Sequence, residues 1–444
     1  MVLLLVGASL LTFWAVRESS DRKLLEAKLD EIRRSGLPTD IESLTAAYEA
    51  KTDPTDAPAW NQIFAELQSS EFRSWSRGIE LFDGKAENTG WTETSWPGEA
   101  AERNLIAKTE DMRGRIHQLV RKPTAVRFLS GFKFSMPIPH AQYQREVGRL
   151  ISTEFQVAFA DRDSKACREA IETLLDVALL SREDPLLVCQ LVNVACHHMA
   201  MGRVQLALEH DILSEPDIEA ISEVMSNYQP ALQRLVWAMQ GDKIIGLDVS
   251  RNPSKLRESF GESEVVTLRV SNLFNRNSLH LLEFFEGFEN LDVSDIDRLQ
   301  QEATRLSNDF QTRIQNAGIF EQKDWVVTSL MAPAINSVIE AMIRDEVLER
   351  FIRHGLAIRL YEKRYGRLPA SLDELREVDF DYSKWKPWGG KPFGYRIEEG
   401  DGILWATIPK DGTKTSDQPP AIDSETGTTE MRKMFFLRIR RVAK

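Results

Sequence analysis

The chain is poor in the features that would announce its chemistry. Its 444 residues hold three cysteines, Cys167, Cys189 and Cys196, an odd number that excludes a fully paired disulfide framework. Cys189 and Cys196 stand seven positions apart in what reads as one helix. At about 1.5 Å per residue they are roughly 10 Å apart, beyond disulfide reach. No H-E-x-x-H, G-x-S-x-G, Walker A or G-x-G-x-x-G pattern occurs, so no familiar catalytic or nucleotide-binding signature is present. Positive charge is outnumbered, with 56 lysines and arginines against 68 aspartates and glutamates. The net charge is −12, and most basic residues are interleaved with acidic ones along helices. That arrangement reads as solvated faces and excludes nucleic acid as a general partner.

Hydrophobic residues are not lacking. They make up 42% of the chain against 28% charged, enough for a sizeable core, and the length fits two structured domains. Residues 2–16 carry no charge until Arg17 ends the run. At fifteen residues it reaches about 23 Å, against the roughly 30 Å of a hydrocarbon core. Neither a basic leader nor a small-residue cleavage site is present, so a membrane anchor is expected, built from Val2, Leu3, Leu4, Leu5, Leu10, Leu11, Phe13 and Trp14. Arg17, Arg22, Lys23 and Lys28 come after the run and would by themselves hold the body in the cytoplasm. Basic residues upstream of Met1 would reverse this, and the expectation is a single-pass protein with its body on the exported side.

Helical periodicity dominates the rest of the chain. Residues 17–34 continue as a surface helix, stopped by Gly36 and Pro38, with Thr39 or Asp40 capping the next. An amphipathic stretch covers 57–82, a polar loop 83–96, and Pro97 opens a helix with Leu105, Met112, Ile116 and Leu119 on one face. After an extended stretch at 124–139, helices begin near His140, then at Cys167, and again at Asp184-Pro185, read as N-cap and first helical residue. The short loops between them imply antiparallel neighbours. Residues 241–270 are the least regular and hold a possible strand; helices resume at Ser294. A long helix runs from 334 to 365, closed by Gly366 and Pro369. A hairpin then occupies 393–408, and 434–442 supplies a third strand. The expected fold is mainly α: an anchor at 1–17, an antiparallel helical body at 18–330, and a small α+β unit at 331–444 made of the long helix and about three antiparallel strands.

Two stretches resemble known families. Gly36-Leu37-Pro38, Trp96-Pro97-Gly98-Glu99, Val126-Arg127-Phe128, Ile138-Pro139-His140, the Arg145/Arg149 pair and the run from Glu183 to Val188 resemble uncharacterised bacterial single-pass membrane-anchored proteins. Tyr361 to Leu375, with Gly390 to Arg396 after it, is similar to the C-terminal part of type II secretion pseudopilin-like proteins. Some pseudopilins bind calcium in the next loop. Here that loop, 409–417, has two lysines and only two separated aspartates, too few oxygens for a calcium site.

The chemical candidates are few. Cys189, Cys196, His197 and His198 cluster in sequence, but neighbours on a helix point about 100° apart, so core packing is expected rather than a metal. His140 comes after two prolines and precedes Arg145 and Arg149, which share a helix face and either pair with Glu146 and nearby acids or receive an anion. Trp91 and Trp96 sit in a polar loop, where they either plug the loop onto a helical layer or stack on a ligand. The basic C-terminal strand reads as a protected sheet edge. No cofactor and no metal is expected. With no catalytic constellation, the leading expectation is a membrane-anchored envelope protein with a binding or scaffold role and unidentified protein partners. The alternatives are a membrane-tethered enzyme or ligand sensor with its pocket near His140, Arg145 and Arg149, and a pseudopilin-like subunit of a secretion apparatus.

Overall fold

Asp40, Ser69, Asp163, Ser214 and Asp295 each turn a side-chain oxygen onto a backbone N–H at the head of a helix, dividing the chain into discrete rods. The computed structural model describes residues 2–82, 98–122, 125–134, 136–251, 274–318, 325–387, 391–407 and 434–441. Trp91, Trp96, the 409–417 loop and Arg432–Lys433 lie outside these, as do the side chains of residues 2–15.

Fourteen α-helices and a small three-stranded antiparallel sheet make up the described chain. Residues 2–16 are not a separate element. They are the first half of α1 (Val2–Arg34), whose second half buries Leu25 and Leu29. Among the described residues no helix is long and apolar enough to cross a membrane. The expected spanning anchor at 1–17 is therefore not supported, because the charges from Arg17 onward cut the apolar run short.

After α1 the helices come in order: α2 (Ile41–Lys51), α3 (Ala57–Leu67), α4 (Ser70–Ser76), α5 (Glu99–Lys108), α6 (Glu110–Val120), α7 (Pro139–Ala160), α8 (Ser164–Val177), α9 (Leu187–Glu209) and α10 (Glu215–Asn227). The amphipathic stretch at 57–82 is divided at Ser69, which caps α4, and the helix expected from Pro97 is broken at Thr109, whose hydroxyl turns back to Leu105 O. The expected capping role of Asp184 is also corrected. The helix starts three residues later, because the Asp184 carboxylate is held by two side chains distant in sequence, Tyr48 and His140.

α11 (Leu235–Arg251) occupies the described part of the segment expected to hold a strand. α12 (Phe274–Glu289) packs on α1 and α11. α13 (Ile296–Asn316) is capped by Asp295 rather than Ser294. α14 (Val326–Tyr365) begins eight residues before the expected long helix and ends at Gly366, which takes the left-handed φ of +68° as its C-cap. This helix lies against α9, α10, α12 and α13, so it belongs to the helical body as much as to the sheet. The sheet is β3 (Gly394–Glu398), β4 (Asp401–Thr407) and β5 (Met434–Ile439) in that order, with Trp405 opposite both Gly394 and Phe436. One core runs through the molecule from Leu25 to Ile439. A smaller one gathers Leu44, Tyr48, Leu129, Phe132, Leu186, Cys189 and Ile244, and it is under this satellite that the site is built.

Candidate ligand-binding cleft

The extended stretch after α6 is fastened by a two-residue parallel bridge, β1 (Thr52–Asp53) with β2 (Ala125–Val126). Arg127 clips it further, donating to Glu49 O at 2.8 Å and to Thr52 O at 3.1 Å, the free carbonyls at the end of α2. Phe128 and Leu129 then turn their backbone N–H groups onto the Tyr48 hydroxyl, at 3.1 and 3.4 Å. That hydroxyl donates in turn to Asp184 Oδ1 at 2.8 Å, and the other carboxylate oxygen accepts from His140 Nε2 at 2.7 Å. Three segments far apart in sequence thus meet on one carboxylate. Asp184 is itself held by the Gln190 amide, which donates to its carbonyl at 3.0 Å.

The turn carrying Asp184 has no room to shift. A Cβ placed on Gly241 of α11 would lie 1.6 Å from Pro185 O, so glycine is required for the two backbones to pass. Cys189, one turn into α9, completes the group, and burial with the adjacent Asp184 carboxylate pushes its thiol well above the ordinary range.

In front of His140 lies a cleft of about 680 Å³. Its wall is aromatic. Phe128 stacks on the His140 ring at 4.9 Å and 11°, and Phe64 lies 5.7 Å from Phe128 and 5.3 Å from Tyr143. Met136, Pro137 and Pro139 add apolar surface, while Asn61, Gln68 and Ser130 supply neutral polar groups. Lys133 is the one formally charged residue among the described lining residues. With Nε2–H committed to Asp184, the other ring nitrogen of His140, Nδ1, has no protein partner among the described residues. It can hydrogen-bond to a molecule in the cleft.

The structure brings together only part of the site expected from sequence. His140 lines the cleft; Arg145 and Arg149 do not. Arg149 pairs with Glu146 at 2.8 Å instead. Trp91 and Trp96 fall outside the described residues. Sequence reasoning missed Tyr48, Phe64, Phe128 and Asp184. The Asp184-Pro185 pair was visible, and so was Val126-Arg127-Phe128, but nothing local says that they meet.

A second histidine–aspartate pair is sealed inside the body. His197 Nδ1 donates to Asp345 Oδ1 at 2.7 Å across the α9–α14 interface, and the His197 ring stacks on Tyr228 at 4.3 Å. Both partners are buried, and His198 approaches the same oxygen at 3.2 Å from a partly exposed position. Burial alone would lower His197, but Asp345 outweighs it and raises the imidazole; His197 and His198 likewise overcome burial and hold Asp345 at about 2. Cys196 is a buried free thiol beside this helix face, which agrees with core packing.

Compared with known protein families, with curated proteins and with solved structures, the chain matches none.

Proposed function

We propose that the chain is a binding protein whose cleft takes a small, largely aromatic or acyl molecule bearing an anionic group. The observation that supports this is the cleft itself: an apolar aromatic wall, one cation at Lys133, and one buried polar anchor at His140 held from behind by Asp184 and Tyr48. An acidic protein that lines a pocket with a lysine and no carboxylate among the described residues selects anions there. The purified full chain should bind the fluorescent aromatic anion anilinonaphthalene sulfonate at one saturable site. Phe128→Ala and Lys133→Ala should each weaken binding about tenfold, and Lys133→Ala should do so without changing the melting temperature appreciably. Binding as tight as the wild type's in both variants would sink the reading.

The N-terminal run at 2–16 is proposed to hold the protein at a membrane surface by embedding apolar residues, without spanning it. Full-length protein should then co-sediment with membranes, and a Leu4→Asp, Leu11→Asp double variant should not. A scaffold role is a second reading, favoured by one observation: β3 is an edge strand with Ile397 47% exposed. Crosslinking in native membranes should in that case join residues 394–398 to a specific partner, and recovery of the protein alone would count against it.

A further inference from the structure

Directly behind the cleft wall, His140, Asp184 and Cys189 bring a ring nitrogen, a carboxylate oxygen and a sulfur to within 4.8 Å of one another. All three are buried, at 4%, 0% and 0% exposure. The described partners of Asp184 are uncharged or titratable: the Tyr48 phenol, the His140 imidazole and the Cys189 thiol. Asp242 adds further negative potential at Cys189 and is itself pushed up to about 7 by burial. Among the described residues no lysine or arginine pairs with the sealed Asp184 carboxylate, which leaves the site short of positive charge.

We propose that His140, Asp184 and Cys189 bind a divalent transition-metal ion of the zinc type. Nitrogen, sulfur and one carboxylate oxygen suit zinc or cobalt, whereas calcium and magnesium require oxygen ligands. Three protein ligands are also the number found in zinc sites that keep one position for water. The Tyr48 hydroxyl, fixed by two backbone N–H groups, supplies the outer hydrogen bond that orients a ligating carboxylate. Tetrahedral ligands at about 2.0–2.3 Å from zinc lie roughly 3.3 Å or more apart, so loading widens the His140–Asp184 contact from 2.7 Å.

Loading releases one proton and relocates another. The Cys189 thiol gives its proton to solvent as the sulfur–metal bond forms, and the hydrogen on His140 Nε2 moves to Nδ1 as Nε2 becomes a ligand. His140 then offers the cleft a donor in place of a lone pair. This coupling rests on the proposed binding of an anion in the cleft; the metal site does not.

The test uses the full chain, stripped with a chelator and titrated with Co²⁺ alone while its absorption is recorded. The expected result is a thiolate-to-cobalt charge-transfer band that saturates with a single ion. The band should vanish in Cys189→Ser and persist in Cys167→Ser. Tyr48→Phe should bind cobalt at least tenfold more weakly. Absence of a thiolate band in the wild-type protein, or its survival in Cys189→Ser, overturns the proposal, and the wild-type spectrum decides the first point even if a variant fails to fold. Anilinonaphthalene sulfonate is then titrated with and without cobalt. Tighter binding in the loaded protein supports the coupling and equal binding refutes it, while a cobalt band with no probe binding at all would remove the cleft reading and leave the metal site standing.

Discussion

Two histidine–aspartate pairs with the same 2.7 Å contact do different work in this molecule. His197–Asp345 joins two of the longest helices in the middle of the body, with an aromatic ring closing one face. His140–Asp184 joins a helix start to a turn, over the small satellite core, and its histidine lines a cleft. The comparison shows that pair chemistry alone does not mark a functional site. What distinguishes the two is access: one ring is walled in by Tyr228, and the other is stacked on Phe128 at the edge of a 680 Å³ space.

The largest expected effect lies in the sealed pair. Asp345→Ala leaves His197 buried without its partner and should cost about 3–5 kcal/mol in urea unfolding. Asp184→Ala strips Tyr48 and His140 of an acceptor and should cost less, about 1–3 kcal/mol, while removing binding of the fluorescent anion. Equal losses from the two variants would break the comparison.

Gly241→Ala sharpens it from a distance. The added methyl cannot coexist with Pro185 O, so the turn holding Asp184 must move, at a cost of about 1–3 kcal/mol and with weakened probe binding. Gly202 of α9 has nothing within 4 Å of an added Cβ. Gly202→Ala should therefore be neutral or stabilising by about 0.5–1 kcal/mol.

The pairs should also differ in pH response. His197 binds its proton more tightly folded than unfolded, so its stabilisation is complete below about pH 6.5 and is lost as pH rises through the folded-state value. Asp345, held near 2, contributes fully above about pH 4 and loses that contribution as pH falls towards 2. Stability measured against pH should decline on the alkaline side in the wild type, and this decline should shrink in Asp345→Asn. The smallest effect is expected at the arginines that the sequence pointed to. Arg145→Ala and Arg149→Ala should change stability by no more than about 0.5 kcal/mol and leave probe binding unchanged, because neither lines the cleft.

Much of the fold was legible because it rests on local rules. The Gly366 stop, the Asp40 cap and the hairpin around Glu399-Gly400 depend on residues within a few positions of each other. The errors occurred where tertiary demands outbid them. Asp184-Pro185 has the chemistry of a helix start, yet its carboxylate is taken by Tyr48, 136 positions away, and by His140. The apolar run at 2–16 is continuous with a charged helix docked on the body through Lys28–Glu286 at 3.0 Å, so it is not the separate element that its composition suggested. Of the site, His140 could be singled out because prolines flank a histidine at a helix start. Its neighbours Phe64 and Phe128 looked like any other core aromatics, since their placement depends on the parallel bridge between 52–53 and 125–126.

The most direct test of the account measures two properties on two variants, Asp184→Asn and Asp345→Asn: unfolding free energy in urea and affinity for anilinonaphthalene sulfonate. The account predicts a crossover, with Asp184→Asn losing the probe but little stability and Asp345→Asn losing stability but still binding the probe while folded. If both variants lose stability equally, and probe binding simply tracks the folded fraction in each, the two pairs are both structural and the cleft is not a binding site.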